Sequence, residues 1–175
     1  MKIRIPKNKH YPFPYFFLAL PVWIHKNKVK FFEKNFMFTE SCFYDLHDND
    51  QYDVNKLFGF SIGLHDNISF RFGWRALPYQ RKIEILTDEY HNSIRQPQKS
   101  ICELDINTWY TFRLTYYVTH NENTVYLIYN KNNIKEFYGI TNSFNIKKNH
   151  GFGYTLGLYF GGNKKAPHDI IIYKN

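Results

Sequence analysis

Apolar and polar residues alternate along most of this chain with a period of two, the spacing of a strand that buries one face. From Lys28 to Glu40, Val29 and Phe31 and then Phe36 and Phe38 alternate with Lys28, Lys30, Met37 and Thr39. Lys56 to Gly63 sets Phe58, Phe60 and Ile62 against Gly59, Ser61 and Gly63, so one face is apolar and the other nearly bare. Ser69 to Arg75 sets Phe70, Phe72 and Trp74 against Arg71, Gly73 and Arg75. The same period runs through Lys82 to Tyr90, Ile101 to Ile106, Thr108 to Val118, Val125 to Tyr129, Tyr154 to Phe160 and Asp169 to Tyr173. Between these runs lie turn signals: His65-Asp66-Asn67, Asn121-Glu122-Asn123, Asn130 to Asn133 and Gly161-Gly162-Asn163. Asn and Asp satisfy local backbone groups there, and Gly accepts positive φ. Many short strands and no amphipathic helix predict an all-β fold, a two-sheet antiparallel β-sandwich of the jelly-roll kind. A closed barrel is the alternative.

The first 24 residues break the pattern. Pro6, Pro12, Pro14 and Pro21 push their preceding residues toward extended conformations. Residues 1–24 are therefore expected as an extended, Pro- and aromatic-rich arm, and residues 25–175 as a single sandwich domain. Such an arm can wrap its own sandwich or tie to a neighbour in a homo-oligomer or a particle.

Composition supports strands: 20% of the 175 residues are aromatic, with 17 Phe and 15 Tyr, and these suit a pleated, half-buried surface. The formal charge of +8 attracts polyanions, but Lys and Arg are spread along the chain, which fits plain solubility equally well. Nucleic-acid recognition has no RNP-like pattern, zinc spacing or helix-turn-helix to carry it. A membrane role has no amphipathic helix. Cys42 and Cys102 lack metal-ligand spacing and are expected as reduced, buried small hydrophobes. The basic start is followed by the apolar stretch Tyr15 to Leu20, which Pro12, Pro14 and Pro21 interrupt, and no small-x-small site follows. The expectation is a cytoplasmic or virion-associated protein.

Three segments carry a resemblance: Leu57-Phe58-Gly59-Phe60-Ser61-Ile62-Gly63, Trp109-Tyr110-Thr111-Phe112-Arg113-Leu114 and Leu158-Tyr159-Phe160-Gly161-Gly162. In this order they resemble the concanavalin A-like lectin/glucanase and laminin G-like superfamily. The stretches Lys56 to Ser61, Phe72 to Arg75 and Tyr159 to Ile170 are also similar to small uncharacterised proteins of Bacteroidetes and their phages. The first resemblance implies a jelly roll. Jelly rolls host lectins, glycosidases, lyases and structural modules, so the fold does not choose among them.

Retaining glucanases of that superfamily use two Glu on one strand with an Asp between them. The nearest string here is Glu84-Ile85-Leu86-Thr87-Asp88-Glu89, where Leu86 replaces the Asp and a five-residue step sends Glu84 and Glu89 to opposite faces. A lyase needs a base such as Tyr or His and cations that neutralise a uronate carboxylate. Arg71, Arg75, Arg113, Tyr117 and Tyr159 form such a set if their strands are neighbours on one sheet face. The competing account is a cross-strand ladder of these arginines with Glu84 and Asp88. The same arginines and aromatics also suit non-catalytic binding of an acidic glycan. Trp74 is expected in the core with Phe70 and Phe72. Asn163, His168 and Asp169 follow paired glycines and offer ligands at a sheet rim, so calcium is conceivable there, with Asn163 and Asp169 as its candidates. A structural turn is the alternative, and no other cofactor is implied.

The first expectation is a non-catalytic module binding a glycan or a partner protein through Arg71, Arg75, Glu84, Arg113, Tyr117, Tyr159, Asn163 and His168. Second comes a structural or accessory protein, such as a phage virion component tied through its arm. Third comes a polysaccharide-active enzyme, a glycosidase or lyase.

Overall fold

The computed structural model describes residues 1–13, 20–24, 29–117, 123–130, 135–140 and 151–175. Within them lie β1 (Lys2–Ile5), β2 (Pro21–Ile24), β3 (Val29–Phe38), β4 (Asn55–Ser61), β5 (Ser69–Leu77), β6 (Lys82–His91) and β7 (Ile94–Arg95). They are followed by β8 (Ser100–Leu104), β9 (Tyr110–Tyr117), β10 (Asn123–Asn130), β11 (Lys135–Ile140), β12 (Gly151–Leu156) and β13 (Ile170–Lys174). The strands pair antiparallel in two sheets. One has the order β1-β13-β3-β9-β10-β11; the other runs β2-β12-β4-β5-β6-β7, with β8 also paired to β6. This is the expected two-sheet sandwich. The turns Asn121-Glu122-Asn123 and Asn130 to Asn133 fall wholly or partly outside the described residues, as does the apolar stretch from Tyr15. No helix among the described residues is long and apolar enough to cross a membrane.

The alternation decides which side chains fill the space between the sheets. Phe58, Phe60, Phe70, Phe72 and Trp74 point inward from β4 and β5, and Phe36, Phe38, Phe112, Tyr116 and Tyr126 from the facing sheet; all are essentially buried. Rings meet across the gap: Phe72 is 5.2 Å from Phe112 and 4.9 Å from Tyr126, and Phe38 is 5.6 Å from Trp74. Edge-to-face and tilted pairs of this kind add to the burial energy and fix the sheets' relative position. Cys42 and Cys102 are buried and unpaired, and desolvation pushes both thiols up to about 12.

Among the described residues of the first 24, two short segments are strands at sheet edges: β1 pairs with β13 and β2 with β12. The two ends of this segment thus border different sheets. Asp169, expected as a ligand, serves this arrangement, with Oδ1 accepting from Lys7 N (2.8 Å) and Oδ2 meeting Arg4 Nη1 (3.3 Å). His168 Nε2 lies 2.9 Å from the Ser41 carbonyl, and Asn163 is exposed. Gly162 has φ of +75°, where a Cβ would also sit 2.6 Å from Asp53 Oδ2. Among the described residues no three His, Cys, Asp or Glu side chains gather as a metal site.

Candidate active site

Residues of β5 at odd positions face away from the core, and antiparallel register sets each opposite a partner on β6: Arg71 faces Asp88 and Arg75 faces Glu84. Both pairs close, as the cross-strand ladder requires. Arg75 Nε contacts Glu84 Oε2, and its Nη1 reaches the Tyr52 carbonyl at 3.3 Å. Arg71 Nη2 lies 2.9 Å from Asp88 Oδ2, at an angle that leaves both Arg71 Nε and Asp88 Oδ2 without a hydrogen bond. Glu84 and Glu89 do point to opposite faces. Glu89 is buried between the sheets, where it accepts from the Tyr126 hydroxyl (2.6 Å) and meets His91 Nε2 (2.8 Å). The paired-glutamate arrangement of a retaining glucanase is therefore not present at this string.

Arg113 and Tyr117 do not join Arg71. Both belong to β9, in the other sheet, so the assumption that all five residues share one sheet face is corrected by topology. Arg113 donates from Nε to Glu33 Oε2 (2.7 Å) and lies over Phe31, with side chains 41% and 30% exposed in the Arg113–Glu33 pair. Arg75 lies on the face of Arg71, one ladder pair along from the Arg71–Asp88 pair's neighbour at Gly73 and Leu86.

Around Arg71 the sheet is cut by a cleft of about 390 Å³, lined by Tyr11, Lys56, His65, Asp66, Arg71, Tyr90, Tyr154, Leu156, Gly157, Leu158 and Tyr159. The bare face of β4 leaves room for the Arg71 side chain that lines the cleft. Gly59 lies opposite Arg71, and a Cβ there would come within 2.7 Å of the Arg71 Cγ and 2.0 Å of the Phe70 carbonyl. Any larger residue would displace the arginine. Lys56 is carried toward Tyr159 by a backbone bridge, Lys56 N donating to Tyr159 O (2.8 Å) and Tyr159 N to Lys56 O (3.0 Å). The Tyr159 ring is held between His10, stacked at 5.1 Å, and Tyr11, edge-on at 4.9 Å.

The charges around Arg71 do not cancel. Asp88, with a wholly buried side chain, faces Arg71 and Arg95, each 2.9 Å away. Burial by itself would raise its carboxyl, but Arg71, Lys56 and Arg95 together hold it below the ordinary carboxylate value. Asp88 thus lies among three cations, with Asp53 as a second carboxylate near Lys56. Desolvation, above all, brings the Lys56 ammonium down to about 8; Asp88 works against it, and the nearby Arg95 and Arg71 add to it.

Opposite these cations is a hydrogen-bonded chain missed in the sequence. The Tyr154 oxygen accepts from the His65 backbone N–H at 3.2 Å and lies 3.1 Å from His65 Nδ1, while His65 Nε2 lies 2.9 Å from Asp66 Oδ1. With Nε2 protonated toward the carboxylate, Nδ1 is left as acceptor for the phenol proton. The arrangement can draw a proton from Tyr154 and stabilise its oxygen as charge develops. His65 and Asp66 were legible only as turn residues, and Tyr154 as one member of a strand; their meeting spans 89 positions.

No family model matches the sequence, and no curated protein matches it. Solved structures do. The alginate lyase Aly36B is similar over 99% of this chain and 77% of its own, with a TM-score of 0.66 and 14% identity. The endo-β-1,4-glucuronan lyase of the fungus Trichoderma reesei is similar over 100% of this chain and 77% of its own, with a TM-score of 0.56 and 9% identity. At such identities the likeness establishes the β-sandwich jelly roll, in keeping with a concanavalin A-like architecture. Because both neighbours are polysaccharide lyases, it also overturns the order of expectations that set a non-catalytic module first and a structural, virion-type role second.

Proposed function

We propose that this protein is a polysaccharide lyase that cleaves a uronate-containing polymer by β-elimination. The observation that carries it is the single cleft in which the surplus cations Lys56 and Arg71 face the Tyr154–His65–Asp66 chain. In such a reaction a base removes the proton from C5 of the uronate, the C4–O bond breaks, a C4–C5 double bond forms, and the leaving oxygen takes up a proton. The carboxylate beside C5 must carry the developing negative charge. Lys56 and Arg71, both lining the cleft, supply positive charge for it. Asp88, which Arg95 also meets, holds Arg71 in place. Tyr154, with His65 Nδ1 and the His65 N–H at its oxygen, is assigned the proton transfer, and Asp66 orients the imidazole. Tyr159 forms the cleft wall beside Lys56.

The likeness in fold to an alginate lyase and a glucuronan lyase supports the substrate class, and those two polymers are the first to test. Incubation with alginate or glucuronan is expected to generate the ultraviolet absorbance of an unsaturated uronate. Tyr154→Phe, which keeps the ring and removes the hydroxyl, is expected to lower kcat by about 100-fold or more, the range of general acid–base catalysis. Absorbance from neither polymer, nor from other polyuronates, or an unchanged kcat in Tyr154→Phe, would refute the assignment.

A further inference from the structure

The cleft occupies one end of the outer face of β5, and a second hollow lies on the same face at the other end. Arg75 is four residues from Arg71, about 14 Å along the strand at ~3.4 Å per residue, and it lines a cavity of about 230 Å³ together with Tyr52, Leu77, Pro78 and Tyr79. Tyr52 is 70% exposed and Tyr79 94% exposed. Large exposed aromatics are ordinary one at a time. Two of them bordering one hollow, in line with a cationic cleft, form a surface of a particular kind.

The backbone turn that carries Tyr79 is also held in place. Tyr79 sits on the 3-10 turn Pro78–Gln80 between β5 and β6, closed by Arg81 in the left-handed region at φ 52°. Arg81 Nη2 meets both Glu40 oxygens at 2.8 Å, and its guanidinium lies 5.5 Å from the Phe43 ring centroid. The turn is thereby tied to the segment that follows β3. A rigid platform loses little conformational freedom when a ligand stacks on it, and that raises affinity. Beside the tyrosines, Arg75 is paired with Glu84 and reaches the Tyr52 carbonyl, and Asp45 and Gln51 complete the lining, so the hollow has two aromatic walls and a polar edge.

We infer that Tyr52, Tyr79 and Arg75 form a distal subsite that stacks sugar rings of the same polymer chain several units from the bond being cleaved. The inference rests on the lyase assignment for the identity of the chain, and on the shared face of β5 for its path. It makes the enzyme one that grips long chains more tightly than short ones and cuts within them.

The test uses the full-length protein and the double variant Tyr52→Ala/Tyr79→Ala, with equal thermal midpoints as the check that both are folded. With whichever of alginate and glucuronan the wild type cleaves, the variant is expected to raise KM for the long polymer about tenfold, the effect of removing two stacking rings, with kcat kept. On trisaccharide-length fragments KM is expected not to change. An equal KM on the long polymer, or an equal rise on polymer and fragments, overturns the subsite. If the wild type cleaves neither polymer, electrophoresis through gels containing each one separates the two ideas. Retardation of the wild type but not of the variant retains the surface while the lyase assignment falls; no retardation of the wild type, or equal retardation of both, overturns the surface as well.

Discussion

Each sheet turns an arginine outward from a strand whose aromatics point into the core, Arg113 on β9 and Arg71 on β5, and each puts it to a different use. On the six-stranded sheet, Arg113 pairs with Glu33 one to one, in contact with water. On the seven-stranded sheet, Arg71 pairs with a carboxylate that Arg95 and Lys56 also claim, and its side chain is only 12% exposed. An exposed ion pair is screened and contributes little. A desolvated cluster with more cations than anions has a standing affinity for an incoming carboxylate. The residue type is the same; burial and the number of partners make the difference.

Removing Arg71 breaks the comparison most directly. Arg71→Ala is expected to lower kcat on the cleaved polymer by about 10²–10³-fold, as for the loss of one stabilising donor in a dry site. Its cost in stability should stay below the ~3–5 kcal/mol of a fully orphaned buried charge, because Arg95 still holds Asp88. Activity measured beside denaturant unfolding checks both, and full activity would return Arg71 to a purely structural ladder.

The pH dependence sharpens the contrast. Lys56 must be charged to serve the substrate, so activity is expected to decline as pH rises through about 8. Folding moves the opposite way. At Lys56, and at Lys34, which burial likewise lowers to about 8 from 10.5, the unfolded chain binds more protons above that pH, so these groups make stability rise between about 8 and 10. A rate profile that falls while the thermal midpoint holds or climbs is the expected pair of curves, and Lys56→Arg should move the alkaline limb upward. Coincident loss of rate and fold would rule out Lys56 as the titrating group.

The smallest effect is expected on the other sheet. Arg113→Ala should cost about 0.2–1 kcal/mol and leave kcat and KM as they were. A loss of activity there would show that the substrate touches both sheets.

The strands were legible in the sequence because a half-buried strand has a two-residue period, and Phe70, Phe72 and Trp74 against Arg71 and Arg75 display it without ambiguity. The edge strands β1 and β2 were not, since Pro6, Pro12, Pro14 and Pro21 signal extension without saying what the extended chain pairs with. Nor was β11, whose Lys135-Glu136-Phe137-Tyr138 is short and follows a run of asparagines. Arg71 and Tyr159 could be singled out by face, whereas Arg113 and Tyr117 could not be told from them, because sheet membership is set by long-range pairing. His65 and Asp66 look like turn residues because they are turn residues. Their second role exists only once β12 brings Tyr154 beside them.

The pairing of β1 with β13 has a consequence for how the molecule is made. Ile5 faces Ile170 across that ladder, and Lys7 is held by Asp169. During synthesis β1 has no partner strand to join until β13 has been made as well. His10 and Tyr11, which brace Tyr159 at the cleft wall, share that wait, since Phe160 N bonds the His10 carbonyl. Contacts so distant in sequence form slowly, so the cleft wall around Tyr159 is expected to form after pairings of consecutive strands such as β5 and β6.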